Sequence, residues 1–402
     1  MYPSFFFFFY FSLIFSFSTS NLLTNIDSLK FPVMSTVTPE IQAILSPVVA
    51  TLKRHQLNDD KEIALVIAHL LMKVISAARW TNTYDLISLI RKVGTILHTA
   101  NPCQIIPGNI VRRVLAIIRE EIETGLETSS TDASANINSN VPMMSSMFSL
   151  LTTTTKQEGR KEQGGAQTKK QSSDMRSIII QGIRDLVDEI SNFNDDLNNM
   201  AIDLIHDNEV LLTPTPTSDT ILHFLIKARL KRKFTVLVTE NFPNDLQKAQ
   251  AFAKTLAENN IETVIIPDTT VYAVMSRVGK VIIGTNAVFA NGGCLSLSGV
   301  ASVVECAKEH RTPVFAVSGL YKLSPLYPFT RNDLIEVGNS GKVLSYDDYE
   351  LVENVEVVVN PLEDYVRPEH IDIFITNVGG FAPSFIYRIV LDNYRSEDNK
   401  LD

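Results

Sequence analysis

Residues Val281-Ile282-Ile283-Gly284-Thr285-Asn286-Ala287-Val288-Phe289-Ala290-Asn291-Gly292-Gly293 decide the fold. A short apolar run that breaks at Gly-Thr-Asn, and again at Asn-Gly-Gly, predicts a buried parallel strand ending in a polar loop. Open α/β sheets place their ligand crevice just outside such strand ends. The plainer alternative is that Gly284 and Asn291-Gly292-Gly293 only turn the chain.

On both sides of this stretch, strands and helices alternate. Val210 to Thr213, Phe234 to Val238, Thr263 to Ile266 and Pro313 to Val317 read as further strands. Between them lie helices capped by Ser218, then over Leu246 to Glu258, around Val274, and over Ala301 to Glu309. This alternation predicts an α/β fold: a Rossmann-like, doubly wound, mostly parallel sheet over residues 206–396, with a short tail at 397–402.

The N-terminal part has the helical period instead. Thr38-Pro39-Glu40 orders a capping hydroxyl, a first-turn proline and an early acid as a helix start requires. Ile63, Val66, Ile67, Leu70, Leu71, Val74 and Ile75 then recur on one face, and Tyr84 to Leu97 and Ile110 to Ile122 repeat the pattern. An antiparallel helical domain is expected over 34–124, divided at Asn101-Pro102 and Pro107-Gly108. Over 125–173 Ser, Thr, Asn, Gln and Gly dominate and periodicity vanishes, which predicts a disordered linker or insertion. A connecting helix is expected over 174–205. Residues 1–33 hold the run Phe5 to Phe11 without the preceding positive charge of a signal peptide, and they read as a non-native or untranslated extension before Met34.

With 402 residues, 45% hydrophobic and 20% charged, the chain has ordinary globular composition, and its net charge of −9 argues against general nucleic-acid binding. Three cysteines, Cys103, Cys294 and Cys306, form no CxxC pair and suggest neither a disulfide framework nor a metal site. Cys294 reads as a small packing residue rather than a reactive thiol.

The loops at the predicted strand ends supply the site candidates. Thr215, Thr217 and Ser218 lead into a helix N-terminus that could hold an anion, although capping explains them equally and Asp219 would repel a phosphate. Glu240, Asn286, Asn291, Gly292 and Lys322 complete the set. No histidine lies in these loops, and no carboxylate pair has a recognisable spacing, so acid/base catalysis has no evident team. Asn286 reads as a local cap of its own loop. The segment Ile371 to Tyr387 carries more aromatic surface than one closing strand needs. Phe374, Phe381, Phe385 and Tyr387 are therefore candidates for sealing the sheet or for a subunit interface.

Several stretches together resemble a known family. They are Tyr272 to Thr285, Ala290-Asn291-Gly292, Tyr321-Lys322-Leu323-Ser324-Pro325 and the tail blocks Asp364 to Glu369, Phe374 to Gly380 and Ala382 to Arg388. The family joins the alpha, beta and delta regulatory subunits of eukaryotic translation initiation factor 2B to sugar-phosphate isomerases, and the tail resembles its beta-type members in particular. The resemblance implies a regulatory subunit in the cytosol, without cofactor or metal. Its implied partners are sister alpha- and delta-type subunits, catalytic gamma- and epsilon-type subunits, and initiation factor 2, chiefly its alpha subunit. It implies no direct nucleic-acid or membrane contact. The departures argue against isomerase chemistry: Asn286 stands where the isomerases have Asp, Thr215 near their Cys, and Ser296-Leu297 where they have Asn-Lys.

Overall fold

The computed structural model describes residues 38–57, 59–80, 82–130, 167–328, 335–347, 353–355 and 357–401. The expectation for residues 1–33, and most of the linker expectation, lie outside them.

Among the described residues five helices come first: α1 (Pro39–Lys53), α2 (Asp60–Ala77), α3 (Thr83–Ala100), α4 (Ile106–Ser130) and α5 (Gln167–Leu204). Asp59 caps α2 and Asn82 caps α3, each side chain accepting from a first-turn backbone N–H. Two boundaries move. Pro107 sits in the first turn of α4 rather than dividing helices, because an N–H is dispensable there. Helix extends to Ser130 and resumes at Gln167, so both ends of the span read as linker are helical.

The α/β domain follows with β1 (Glu209–Thr213), α6 (Asp219–Arg229), β2 (Phe234–Thr239), α7 (Leu246–Glu258), β3 (Glu262–Ile266), α8 (Val271–Met275) and β4 (Lys280–Gly284). Then come β5 (Ala287–Phe289), β6 (Cys294–Leu297), α9 (Val300–Glu309), β7 (Val314–Val317), β8 (Leu323–Ser324), β9 (Glu363–Val366), β10 (Ile373–Thr376), β11 (Gly379–Phe381) and α10 (Pro383–Asn393). The main sheet has the order β11-β10-β7-β4-β1-β2-β3, with β4 at its centre. Its pairings are parallel except the β10–β11 hairpin. A second sheet, β8-β5-β6-β9, was not foreseen; β5 is the stretch Ala287-Val288-Phe289, which looked like the continuation of a loop.

Alternation along the strands divides the core. Leu211, Ile282, Phe315, Val317 and Ile375 face a cluster continuous with the helical bundle. Leu212, Val281, Ile283, Ala316 and Phe374 face the opposite cluster, beneath α9 and α10. One face of the sheet is therefore completed by the helical domain itself. Cys294 is fully buried, and burial pushes its thiol well above the usual range, so packing is its role here.

The chain end also crosses between domains. Asp398, 1% exposed, accepts from Arg91 and Arg119, and Arg112 donates to the Asn399 carbonyl. Leu401 packs near Gly94, and its carbonyl accepts from Thr95 at 3.0 Å. What reads in sequence as a tail is a strap onto α3 and α4.

Candidate functional site

The chain builds outward from β1 through β2 to β3, then returns to β4 beside β1 and builds the other way. The C-terminal ends of β1 and β4 thus form the switch point where doubly wound sheets open a crevice. There the loops carrying Thr215, Thr217, Ser218, Thr285 and Asn286 face Asp59, Asp60, Asn101 and Gln104 of the helical domain across a cavity of about 630 Å3.

The loop geometry explains the first residues. Gly284 donates its N–H to Thr215 Oγ1 at 2.9 Å, and a Cβ at this position would lie 2.9 Å from Ser218 Oγ. Glycine is needed so that the two loops can close on each other. Thr215 is buried and engaged in this contact, and Ser218 Oγ accepts from Ile221 N at 3.5 Å to cap α6. These hydroxyls build the loop more than they offer a free anion cradle.

Lys322 reaches across the crevice floor. It is buried, and its Nζ donates to Asp60 Oδ2 and to the Thr285 carbonyl, each at 2.7 Å. Burial alone would depress its ammonium, but Asp60 beside it reverses the sign and holds it above its ordinary value. Opposite stands Glu363, the first residue of β9. The Asn286 amide donates to Glu363 Oε1 at 2.5 Å, so Asn286 bonds 77 residues away and does not cap its own loop. Burial, reinforced by Asp60 and Glu336 and opposed by Asn286 and Lys322, pushes the Glu363 carboxyl up to about 7.

Of the sequence candidates, Thr215, Thr217, Ser218, Asn286 and Lys322 come together in this cavity. Glu240, Asn291 and Gly292 do not line it. Asn291 donates to the Tyr365 hydroxyl, and Gly292, at φ +80°, passes so close to the Pro383 carbonyl that a Cβ would clash. Asp60, Glu336 and Glu363 were missed in sequence because each lies far along the chain from the strand-end loops. A titratable carboxyl facing a buried lysine is therefore present, supplied by β9 rather than by the strand-end loops, in which the sequence shows no evident acid/base team.

A pH dependence follows from Glu363. Its folded value lies above the usual carboxylate range, so the folded state holds the proton more tightly than the unfolded chain does. Stability should then fall as pH rises from about 4.5 to about 7. Glu363→Gln should remove that part of the slope, worth on the order of 2 to 3 kcal/mol, in urea melts compared at pH 5 and 8.

The fold and crevice define a doubly wound α/β protein whose switch-point cavity is closed by an N-terminal helical bundle. The chain belongs to the Initiation factor 2 subunit family, whose profile matches residues 56–383. It is 38% identical over 395 residues to translation initiation factor eIF2B subunit beta of Schizosaccharomyces pombe, covering 92% of this chain and all of that one. It is similar, at TM-score 0.64 and 28% identity, to a chain of the tetrameric eIF2B-beta2-delta2 complex of Chaetomium thermophilum. That match covers 88% of this chain and 95% of the other. A more distant likeness is to ribose 1,5-bisphosphate isomerase of Pyrococcus furiosus, 27% identical over 52% of this chain and 64% of that protein.

Proposed function

We propose that this chain is a beta-type regulatory subunit of the initiation factor 2B guanine-nucleotide exchange complex. In this reading it supports GDP/GTP exchange on initiation factor 2 and its control by phosphorylation of that factor's alpha subunit, without a catalytic site of its own. The observation that carries the reading is full-length similarity to a beta subunit, beside a likeness to an isomerase over only half the chain. The crevice chemistry supports it. Asn286, which by the resemblance stands where the isomerases have Asp, is a neutral amide engaged by Glu363, and Thr215 is engaged with Gly284. The chain should therefore turn over neither ribose 1,5-bisphosphate nor methylthioribose 1-phosphate; isomerisation abolished by Asn286→Ala would reverse this assignment.

Partners follow from the same reading: sister alpha- and delta-type subunits, catalytic gamma- and epsilon-type subunits, and initiation factor 2, in the cytosol. Among the described residues no helix is long and apolar enough to cross a membrane. The aromatic tail divides between two roles. Phe374 is fully buried on β10 and seals the sheet, so it is withdrawn as a contact residue. Phe381 stacks on Phe385 with ring centroids 5.5 Å apart, while Phe385 and Tyr387 on α10 are about half exposed. Exposed aromatics backed by a rigid sheet are the anchors that subunit interfaces use. Affinity purification from native lysate, read by mass spectrometry, should recover four sister subunits. Phe385→Asp and Tyr387→Asp should each lower recovery of the delta-type sister at least tenfold while leaving circular dichroism unchanged.

A further inference from the structure

Five of the seven residues 227–233 are cationic and none is acidic, in a chain whose net charge is −9. The run covers the last turn of α6 and the link into β2, at the opposite end of the parallel strands β1 and β2 from the crevice. Cations in a last helical turn complement the helix dipole, and that plain reading accounts for Lys227 and Arg229. It does not account for Lys231 and Lys233, which lie beyond the helix, nor for the residue that stands among them. Leu230 is 73% exposed, the most exposed large apolar side chain among the described residues.

This exposure is held in place by the surrounding hydrogen bonds. Arg229 donates from Nε to the Asn260 carbonyl at 2.7 Å and from Nη1 to the Arg232 carbonyl at 3.1 Å. Arg232 Nη1 meets one oxygen of Asp207 at 3.1 Å, and the other oxygen accepts from Lys233 N at 2.9 Å. Phe224, Leu225, Ala228 and Phe234 fill the core beneath, and the pinned turn keeps Leu230 outside it. Backbone N–H groups of Leu230, Lys231 and Arg232 donate to the carbonyls of Lys227 and Ala228, so helical geometry runs past Arg229. Lys227, Leu230 and Lys231 therefore share one face, at the spacing that sets neighbouring Cβ atoms about 5 to 6 Å apart.

The two arginines are engaged by the fold. The ammonium groups of Lys227, Lys231 and Lys233 make no ion pair or hydrogen bond among the described residues. A rigid apolar side chain ringed by free lysines suits a protein segment that presents carboxylates around an apolar residue, since the charges steer and the apolar contact anchors. Nucleic acid fits the surface less well. Its backbone follows a continuous basic groove and its bases stack on aromatic rings. Here the exposed Asp207 and Glu262 interrupt the positive field, Phe234 is buried, and Leu230 offers nothing to a phosphate.

We propose that the 227–233 ridge docks an acidic segment of a protein partner, with an apolar residue of that segment seated on Leu230 and its carboxylates answered by Lys227, Lys231 and Lys233. The inference uses neither the crevice nor the exposed aromatics of α10. Loss of sister recovery in the purification above would refute the subunit reading and leave this one standing.

The test is fluorescence polarisation of the purified full chain with three labelled probes: a peptide of glutamates around a single phenylalanine, a poly-glutamate peptide, and single-stranded poly-uridylate RNA. The phenylalanine peptide should bind saturably, more tightly than poly-glutamate, and more weakly as salt is raised. Lys231→Glu combined with Lys233→Glu should lower its affinity at least tenfold, and Leu230→Ser about threefold or more. Circular dichroism should stay unchanged, because all three side chains are exposed. Lys73→Glu, which alters an exposed lysine of α2, should leave binding as it is and so separates the ridge from net charge. The proposal is overturned if the phenylalanine peptide does not saturate, if Lys73→Glu weakens it as much as the ridge variants do, or if Leu230→Ser leaves it unchanged. RNA that binds more tightly than the peptide and is released by the two lysine substitutions would overturn it as well.

Discussion

Replacing Asp398 with alanine should cost about 3 to 5 kcal/mol of folding stability, the largest effect expected from any single charged side chain among the described residues. Asp398 is almost fully buried and accepts from Arg91 Nη2 at 2.6 Å and Arg119 Nε at 2.7 Å. Burial alone would raise its carboxyl, but the hydrogen bonds from Arg119 and Arg91 win and hold it below the ordinary value. Removing the anion leaves two part-buried guanidinium groups, with the buried Arg112 close behind, and only the exposed Glu397, 2.7 Å from Arg119, to answer them. The penalty therefore exceeds that of a surface ion pair, which is worth about 1 kcal/mol or less. Asp398→Asn should lose less, because the amide oxygen keeps one acceptor. Since the folded carboxyl is held low, the contribution is present above the unfolded value and disappears as pH falls through the folded one. Urea denaturation at pH 7, repeated near pH 3, measures both effects. Removing residues 396–402 should be at least as damaging, because it also uncovers the contact of Leu401 with Gly94.

Lys322→Met should cost about 3 kcal/mol by a related route. Lys322, in the single 3-10 turn Leu320–Lys322 of the α/β domain, reaches Asp60 at the start of α2, so the pair spans the crevice as well as the sequence. Taking away the cation leaves Asp60, with a side chain only 21% exposed, and the Thr285 carbonyl without their partner. Breaking one side of such a pair is expensive, whereas replacing both sides with apolar groups is often mild. A double-mutant cycle with Asp60→Leu should therefore show a coupling well above 1 kcal/mol, the double variant being more stable than Lys322→Met alone. Thermal melts followed by circular dichroism give the stabilities. If the two substitutions add without coupling, the pair does not hold the domains together.

The local alphabet of the fold was legible because it depends on neighbours in sequence. The apolar period of α2, the capping residue Ser218 and the strands from β1 to β4 are all short-range effects, although Thr38, read as the cap of α1, makes no side-chain cap bond. So was the central place of β4, since a run buried on both faces must lie inside a parallel sheet. The position of the crevice followed from the alternation alone. The small antiparallel sheet was not legible. Its partners β5, β6, β8 and β9 are two to four residues long and draw on segments up to some seventy residues apart, so no local pattern marks the pairing.

By itself, then, the sequence determined the α/β class, the helical domain before it, the family resemblance and the loops at the sheet's edge. Tertiary structure alone decided what those loops face. It turned Asn286 from a local cap into the partner of Glu363, set Lys322 against Asp60, and brought Glu336 to the same cavity. It also divided the aromatic tail, burying Phe374 while leaving Phe385 and Tyr387 outside. The physical reason is the range of the interactions. Caps and hydrophobic periods act over one helical turn or one strand, whereas charge and burial act through space and are fixed only when distant segments pack.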